Sequence, residues 1–201
     1  MIVIVDYGMG NLGSIVNMFK KIGIKSCISN VPEIIEDASK LLLPGVGAFD
    51  RAMECIEVSG LRSVLDEQVL VKKKPILGIC LGMQLLTRSS EEGKLPGLSW
   101  IPAKTKHFPS LPGLRVPHMG WNQVFHNNWS KLTFELPKDN RFYFVHSYFV
   151  QTDSQEHSIL KCHYGIDFDA AIQKDNIFGV QFHPEKSHRF GMQLLKNFAN
   201  L

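Results

Sequence analysis

Gly78-Ile79-Cys80-Leu81-Gly82 sets a single thiol between two glycines, where a short apolar run gives way to the helix-compatible stretch Leu81–Leu86. Small residues on both flanks permit a sharp strand-to-helix turn that projects the side chain, the nucleophile-elbow pattern with cysteine in the nucleophile position. At a helix N-terminus the dipole and free N–H groups lower a thiol pKa and can also bind an oxyanion. A buried, inert cysteine is the commoner fate of such a residue. The flanking glycines argue for chemistry at Cys80, whereas Cys27, Cys55 and Cys162 lack that setting and read as packing. A thiol nucleophile needs a base, and Phe182-His183-Pro184-Glu185 offers one at the end of an apolar run. Residues i and i+2 of an extended chain point to the same side, so Glu185 can hold one imidazole nitrogen while the other faces a thiol, with Pro184 restricting the backbone between them. Cys80, His183 and Glu185 thus make a candidate nucleophile–base–orienter triad.

Other candidates are weaker. His118 and His146 follow apolar runs but have no acid nearby in sequence, so they read as supporting or interface residues. His107, His126, His157, His163 and His188 read as surface residues, and no spacing suggests a metal site. Gly45-Val46-Gly47, after an apolar run, can present N–H groups to an anion and complete an oxyanion hole; taken alone it is an ordinary strand-to-helix turn. Gly8-Met9-Gly10-Asn11-Leu12-Gly13 has the GxGxxG spacing of a dinucleotide site, but the second strand ends in Ser29-Asn30 without the expected acid. A tight turn is the better reading, and no cofactor is expected.

Positioning these groups requires a framework. The chain has 201 residues, 44% hydrophobic and 20% charged, enough for one compact domain, assigned here to residues 1–201. Net charge is +3, with Lys72-Lys73-Lys74 the sole basic run, which argues against a nucleic-acid partner. Scattered cysteines, no leader and no apolar run of membrane-spanning length point to a cytoplasmic protein. Strands are expected over Met1–Asp6, Ile24–Ser29, Leu41–Leu43 and Pro75–Ile79. They alternate with helices over Leu12–Ile22, Asp50–Glu57 and Leu61–Val71, the pattern of an α/β protein with a parallel sheet. Beyond Trp100 the runs Asn122–Phe125, Phe142–Gln151, Ser158–Cys162, Ala170–Gln173 and Ile177–Phe182 suggest further, partly antiparallel strands, closed by a helix over Phe190–Phe198.

The Gly78–Gln84 run, with Gln181–Glu185 near the C-terminus, resembles the class I (triad) glutamine amidotransferase family. Within it, Leu43–Phe49, Arg115–Asn122, Tyr143–Tyr148 and His183–Ser187 are most similar to the branch that forms the glutaminase subunits of imidazole glycerol phosphate synthases. The resemblance runs from Asp6-Tyr7-Gly8 to Leu195–Phe198. It implies a doubly wound, flavodoxin-like sheet with added antiparallel strands in the second half, hydrolysing L-glutamine to glutamate and ammonia. Cys80 would attack the carboxamide; N–H groups of Leu81 and of the turn at Val46 would hold the oxyanion, and a flipped Val46 peptide would keep the free subunit idle. His183 would protonate ammonia and then activate water, with Glu185 orienting it. The resemblance also implies that Gly47, Leu81, Gln84, Ser147 and Tyr148 line the glutamine site, while Asn11, Trp121, Tyr143 and Lys186 face a partner and an ammonia passage. That partner would be a (β/α)₈-barrel cyclase subunit of histidine biosynthesis, forming a heterodimer. The following His188-Arg189-Phe190-Gly191-Met192 is instead similar to copies from surface-polysaccharide pathways, in which the ammonia serves a sugar amidotransferase. A non-catalytic docking module is the alternative of another class.

Overall fold

A computed structural model describes residues 1–201. Five parallel strands form the centre: β1 (Ile2–Val5), β2 (Ser26–Ser29), β3 (Lys40–Gly45), β4 (Ile76–Cys80) and β11 (Ile177–Val180), in the order β2-β1-β3-β4-β11. Strand β1 is buried on both faces, and its side chains alternate between two cores. Ile2 and Ile4 join one core, Val3 and Val5 the other, as a period of two demands. Helices α1 (Leu12–Lys21) and α6 (His188–Ala199) cover the first core with Ile15, Phe19, Leu194 and Phe198. The second is covered by α2 (Pro32–Glu36), α3 (Phe49–Val58), α4 (Leu61–Asp66) and α5 (Leu81–Leu85). Helices on both faces of a parallel sheet make the expected doubly wound α/β architecture.

The sheet continues antiparallel through β10 (Ile166–Lys174), β9 (Ser158–Tyr164), β6 (His118–His126) and β7 (Arg141–His146), while β8 (Tyr148–Thr152) bridges β10 and β5 (Ala103–His107). Several details differ from the sequence reading, among them α2, which has no counterpart among the expected helices. The run Phe142–Gln151 is two strands: the chain breaks at Ser147, so that β7 pairs with β6 and β8 turns to pair with β5. Strand β5 has no counterpart among the expected strands, because its inward positions, Ala103 and Thr105, are small or polar, and Lys104 and Lys106 mask the alternation. The stretch Leu61–Val71 is α-helical only to Asp66 and widens to a π-turn over Glu67–Val71. Of the lysine run, Lys72 and Lys73 are exposed, while Lys74 donates from Nζ to the Glu36 carbonyl at 2.6 Å and satisfies the end of α2. No helix is long and apolar enough to cross a membrane.

Candidate active site

Strands β3, β4 and β11 run side by side in register, with Gly45 opposite Cys80 and Val180 opposite Ile79. Their C-terminal ends therefore place the Gly45-Val46-Gly47 turn on one side of Cys80 and the segment leading to His183 on the other. This is the edge at which open α/β sheets bind ligands. Cys80 itself holds φ 54° and ψ −112°, a conformation that costs a non-glycine residue on the order of 1–3 kcal/mol. Surrounding close approaches enforce it. A Cβ on Gly82 would be driven into the Leu43 carbonyl, and one on Gly78 would lie 2.6 Å from the Gly82 oxygen. Both glycines are therefore required by backbone contact at the elbow, which leaves Leu81 N–H at the start of α5 without an intrahelical acceptor.

His183 lies three residues beyond β11. Its N–H donates to the Tyr143 carbonyl at 2.9 Å, and its own carbonyl accepts from the Ser187 hydroxyl at 2.6 Å, fixing the backbone from two directions. Nδ1 lies 2.7 Å from Glu185 Oε1, with both side chains almost fully buried. Nε2 has no hydrogen-bond partner and is left as the nitrogen available to the thiol. Burial pulls the imidazole pKa down, but the sulfur of Cys80 and the carboxylate of Glu185 outweigh it and carry the group up to about 9.

A cavity of about 370 Å³ opens over Cys80 and His183, and Val46, Gly47, Leu81, Gln84, Ser147 and Tyr148 all line it. It also exposes Glu92, whose pKa is raised, first by burial and also by Asp50, although the Phe49 N–H bond to its carboxylate opposes this. Glu92 lies in a loop without periodicity, and nothing in the sequence but the Glu91-Glu92 pair marks it. Gln181 is a second residue to which the sequence assigned no role. Its Nε2 donates to Cys80 Sγ at 3.8 Å, while its Oε1 accepts from Gln84 Nε2 at 3.1 Å.

Asn11, Trp121, Tyr143 and Lys186 gather on one face. Asn11 and Lys186 are exposed and line a narrow cleft that reaches Glu185 and His183. The Lys186 ammonium lies 5.6 Å from the Tyr143 ring centre, and Trp121 meets Tyr143 edge-on at 6.2 Å. His188, read from sequence as a surface residue, stacks flat on Trp121 at 5.4 Å. Met119, two residues before Trp121 on the same outward face of β6, is 62% exposed. The Gly8–Gly13 turn uses φ of +89° at Gly8 and +116° at Gly10 to bring Asn11 to the rim. His118 and His146 are buried and hydrogen-bonded to one another.

Residues 3–201 match the family model for class-I glutamine amidotransferases. The chain is 51% identical to imidazole glycerol phosphate synthase subunit HisH 2 of Pseudomonas aeruginosa, over all of both chains. It is 52% identical to the subunit of the same name from Methanococcus maripaludis, over 98% of each. Its fold is similar to that of a glutamine amidotransferase from Thermotoga maritima, with a TM-score of 0.67 and 17% identity across 99% of this chain and 82% of the other.

Proposed function

The chain belongs to the class-I glutamine amidotransferase family, and from that premise we propose that it is the glutamine-hydrolysing subunit of an imidazole glycerol phosphate synthase. The observation that carries this reading is the convergence of Cys80, the His183–Glu185 pair and the Val46–Gly47 turn on one cavity in a chain aligned end to end with such subunits. Residues 1–201 act as one glutaminase domain, since a single sheet with a core on each face spans them.

In the proposed reaction the Cys80 thiolate attacks the side-chain carboxamide of L-glutamine. N–H groups of Val46 and Leu81 hold the resulting oxyanion, which contributes on the order of a hundredfold or more in related acyl transfers. His183 gives its Nε2 proton to the leaving ammonia, then takes one from the water that cleaves the thioester, while Glu185 keeps Nδ1 occupied. Gly47, Gln84, Ser147 and Tyr148 shape the glutamine site, with the Glu92 carboxylate suited to the substrate's α-ammonium group. Ammonia leaves along the cleft between Asn11 and Lys186 toward a (β/α)₈-barrel cyclase subunit docked on Trp121 and Tyr143, in the cytoplasm.

A second acceptor is favoured by one observation. The His188-Arg189 pair, which resembles that of surface-polysaccharide copies, lies on the proposed docking face, where His188 stacks on Trp121. A sugar amidotransferase as recipient would leave the glutaminase chemistry unchanged. Glutamate release by the chain with and without purified cyclase subunit tests the assignment. Cys80→Ala is expected to reduce hydrolysis at least about a thousandfold while preserving association. Retained hydrolysis in that variant would overturn the mechanism, and failure of the cyclase to bind or stimulate the chain would favour the sugar-pathway acceptor.

A further inference from the structure

Beneath the docking face runs a chain of buried hydrogen bonds that the triad does not account for. The Tyr148 carbonyl can only accept, so His146 Nδ1, 2.7 Å away, carries a hydrogen. Neutral His146 then has an accepting Nε2, which takes a hydrogen from His118 Nδ1 at 3.0 Å. His118 Nε2 is left to accept from the Asn122 amide at 3.2 Å. Both rings are buried, at 2% and 6% exposure, and burial is the main cause holding them neutral, with pKa values pushed down to about 4 for His118 and about 3 for His146. On the far side the same Tyr148 carbonyl accepts from Gln84 Nε2 at 3.1 Å; that amide also donates to Gln181 Oε1, and Gln181 Nε2 donates to the nucleophile sulfur. Each group has one orientation consistent with its neighbours, so an unbroken series links β6, next to Trp121, with Cys80.

We infer that His118 and His146 are positioning residues for the Cys80 pocket: by fixing the Tyr148 carbonyl they hold the Gln84 and Gln181 amides so that an N–H points at the sulfur. An N–H directed at Sγ holds the sulfur in one orientation toward the cavity, ready to meet an electrophile. Flipping the Gln181 amide would instead turn an oxygen toward Sγ and remove that donor. Because Asn122 and Trp121 are neighbours on β6, a partner seated on Trp121 bears on the same series; this last step rests on the proposed docking face.

The experiment reads the thiol directly. In the full-length chain at pH 7, carbamidomethylation of Cys80 by iodoacetamide is followed by mass spectrometry, with the half-buried Cys55 as internal reference. His118→Phe keeps the ring stack with Phe144 and Tyr164 (4.7 and 4.0 Å between centroids) while deleting both nitrogens. It is expected to slow alkylation of Cys80 roughly fivefold or more, and His118→Asn, which retains a donor toward His146, to restore it to within about twofold. Asn122→Ala, which cuts the series at a half-buried strand position, is expected to slow it about twofold or more and decides the matter if His118→Phe fails to fold. Wild-type rates in folded His118→Phe or in Asn122→Ala overturn the inference, as does equal slowing in His118→Phe and His118→Asn, which would mark a packing effect. Glutamine turnover with the cyclase subunit should follow the same order; a wild-type chain without turnover would refute the proposed function while the alkylation rates still decide the role of the histidines.

Discussion

The imidazole of His183 sits between two groups that both favour its charge, a sulfur and a buried carboxylate, in a place where burial alone would keep it neutral. Because the folded-state pKa is raised from the ordinary value of 6.5 to about 9, the imidazolium contributes stability that is fully present below pH 6.5 and lost as pH rises through 9. Glu185→Gln removes one of the two supporting groups. The melting temperature of the wild type should therefore fall more steeply between pH 6.5 and 9 than that of the variant. An amide at this position can also donate to Nδ1, forcing the hydrogen onto Nε2 and blocking proton uptake from the thiol. Hydrolysis by Glu185→Gln should then drop on the order of 10²- to 10⁴-fold, measured as kcat on glutamine. An unchanged pH profile of melting would contradict the assigned role. These groups were readable in sequence because only Pro184 separates His183 from Glu185. The bonds of Gln84 to Tyr148 and Gln181 were not, since they close over 64 and 97 residues.

At the level of elements, the turn from β4 into α5 is set by contacts with β3 as much as by its own residues. The Leu43 carbonyl occupies the space where any side chain at position 82 would begin, and backbone cannot retreat as a flexible side chain would. Gly82→Ala is expected to cost about 3 kcal/mol or more, lowering the melting temperature by roughly 10 °C in a chain of this size. Gly13→Ala is the control: it sits inside α1 with nothing within 4 Å of the added carbon, and should leave melting unchanged or raise it slightly. Equal effects in a thermal melt would remove the close-approach argument. The periodicity of β1, β3 and β4 was legible because strands buried on both faces read as continuous apolar runs. Strand β5 escaped because polar and small residues line its inner face, and the break at Ser147 escaped because β-forming residues continue on both sides of it.

For the molecule as a whole, the cleft that reaches His183 and Glu185 opens between Asn11 and Lys186, and Lys186 packs over Tyr143 beside Trp121, which is where the proposed partner would dock. Trp121 is 46% exposed, and its removal should spare the fold. Trp121→Ala is expected to weaken association with the cyclase subunit at least about thirtyfold, as for a central aromatic anchor, with the melting temperature of the free chain unchanged. Isothermal titration of wild type and variant checks this; equal affinities would move the docking site elsewhere. The linear order of residues by itself determined the alternation of strands and helices, the glycine-flanked cysteine and the local pairing of His183 with Glu185. Each depends on neighbours a few positions apart, where backbone periodicity and sterics act. Only the tertiary structure decided that Cys80 lies between the Val46 turn and His183, that Gln181 reaches the sulfur, and that His118 and His146 share a hydrogen. Those relations follow from strand order and register, and hydrophobic patterning records which face of a strand is buried without recording which strand lies beside it.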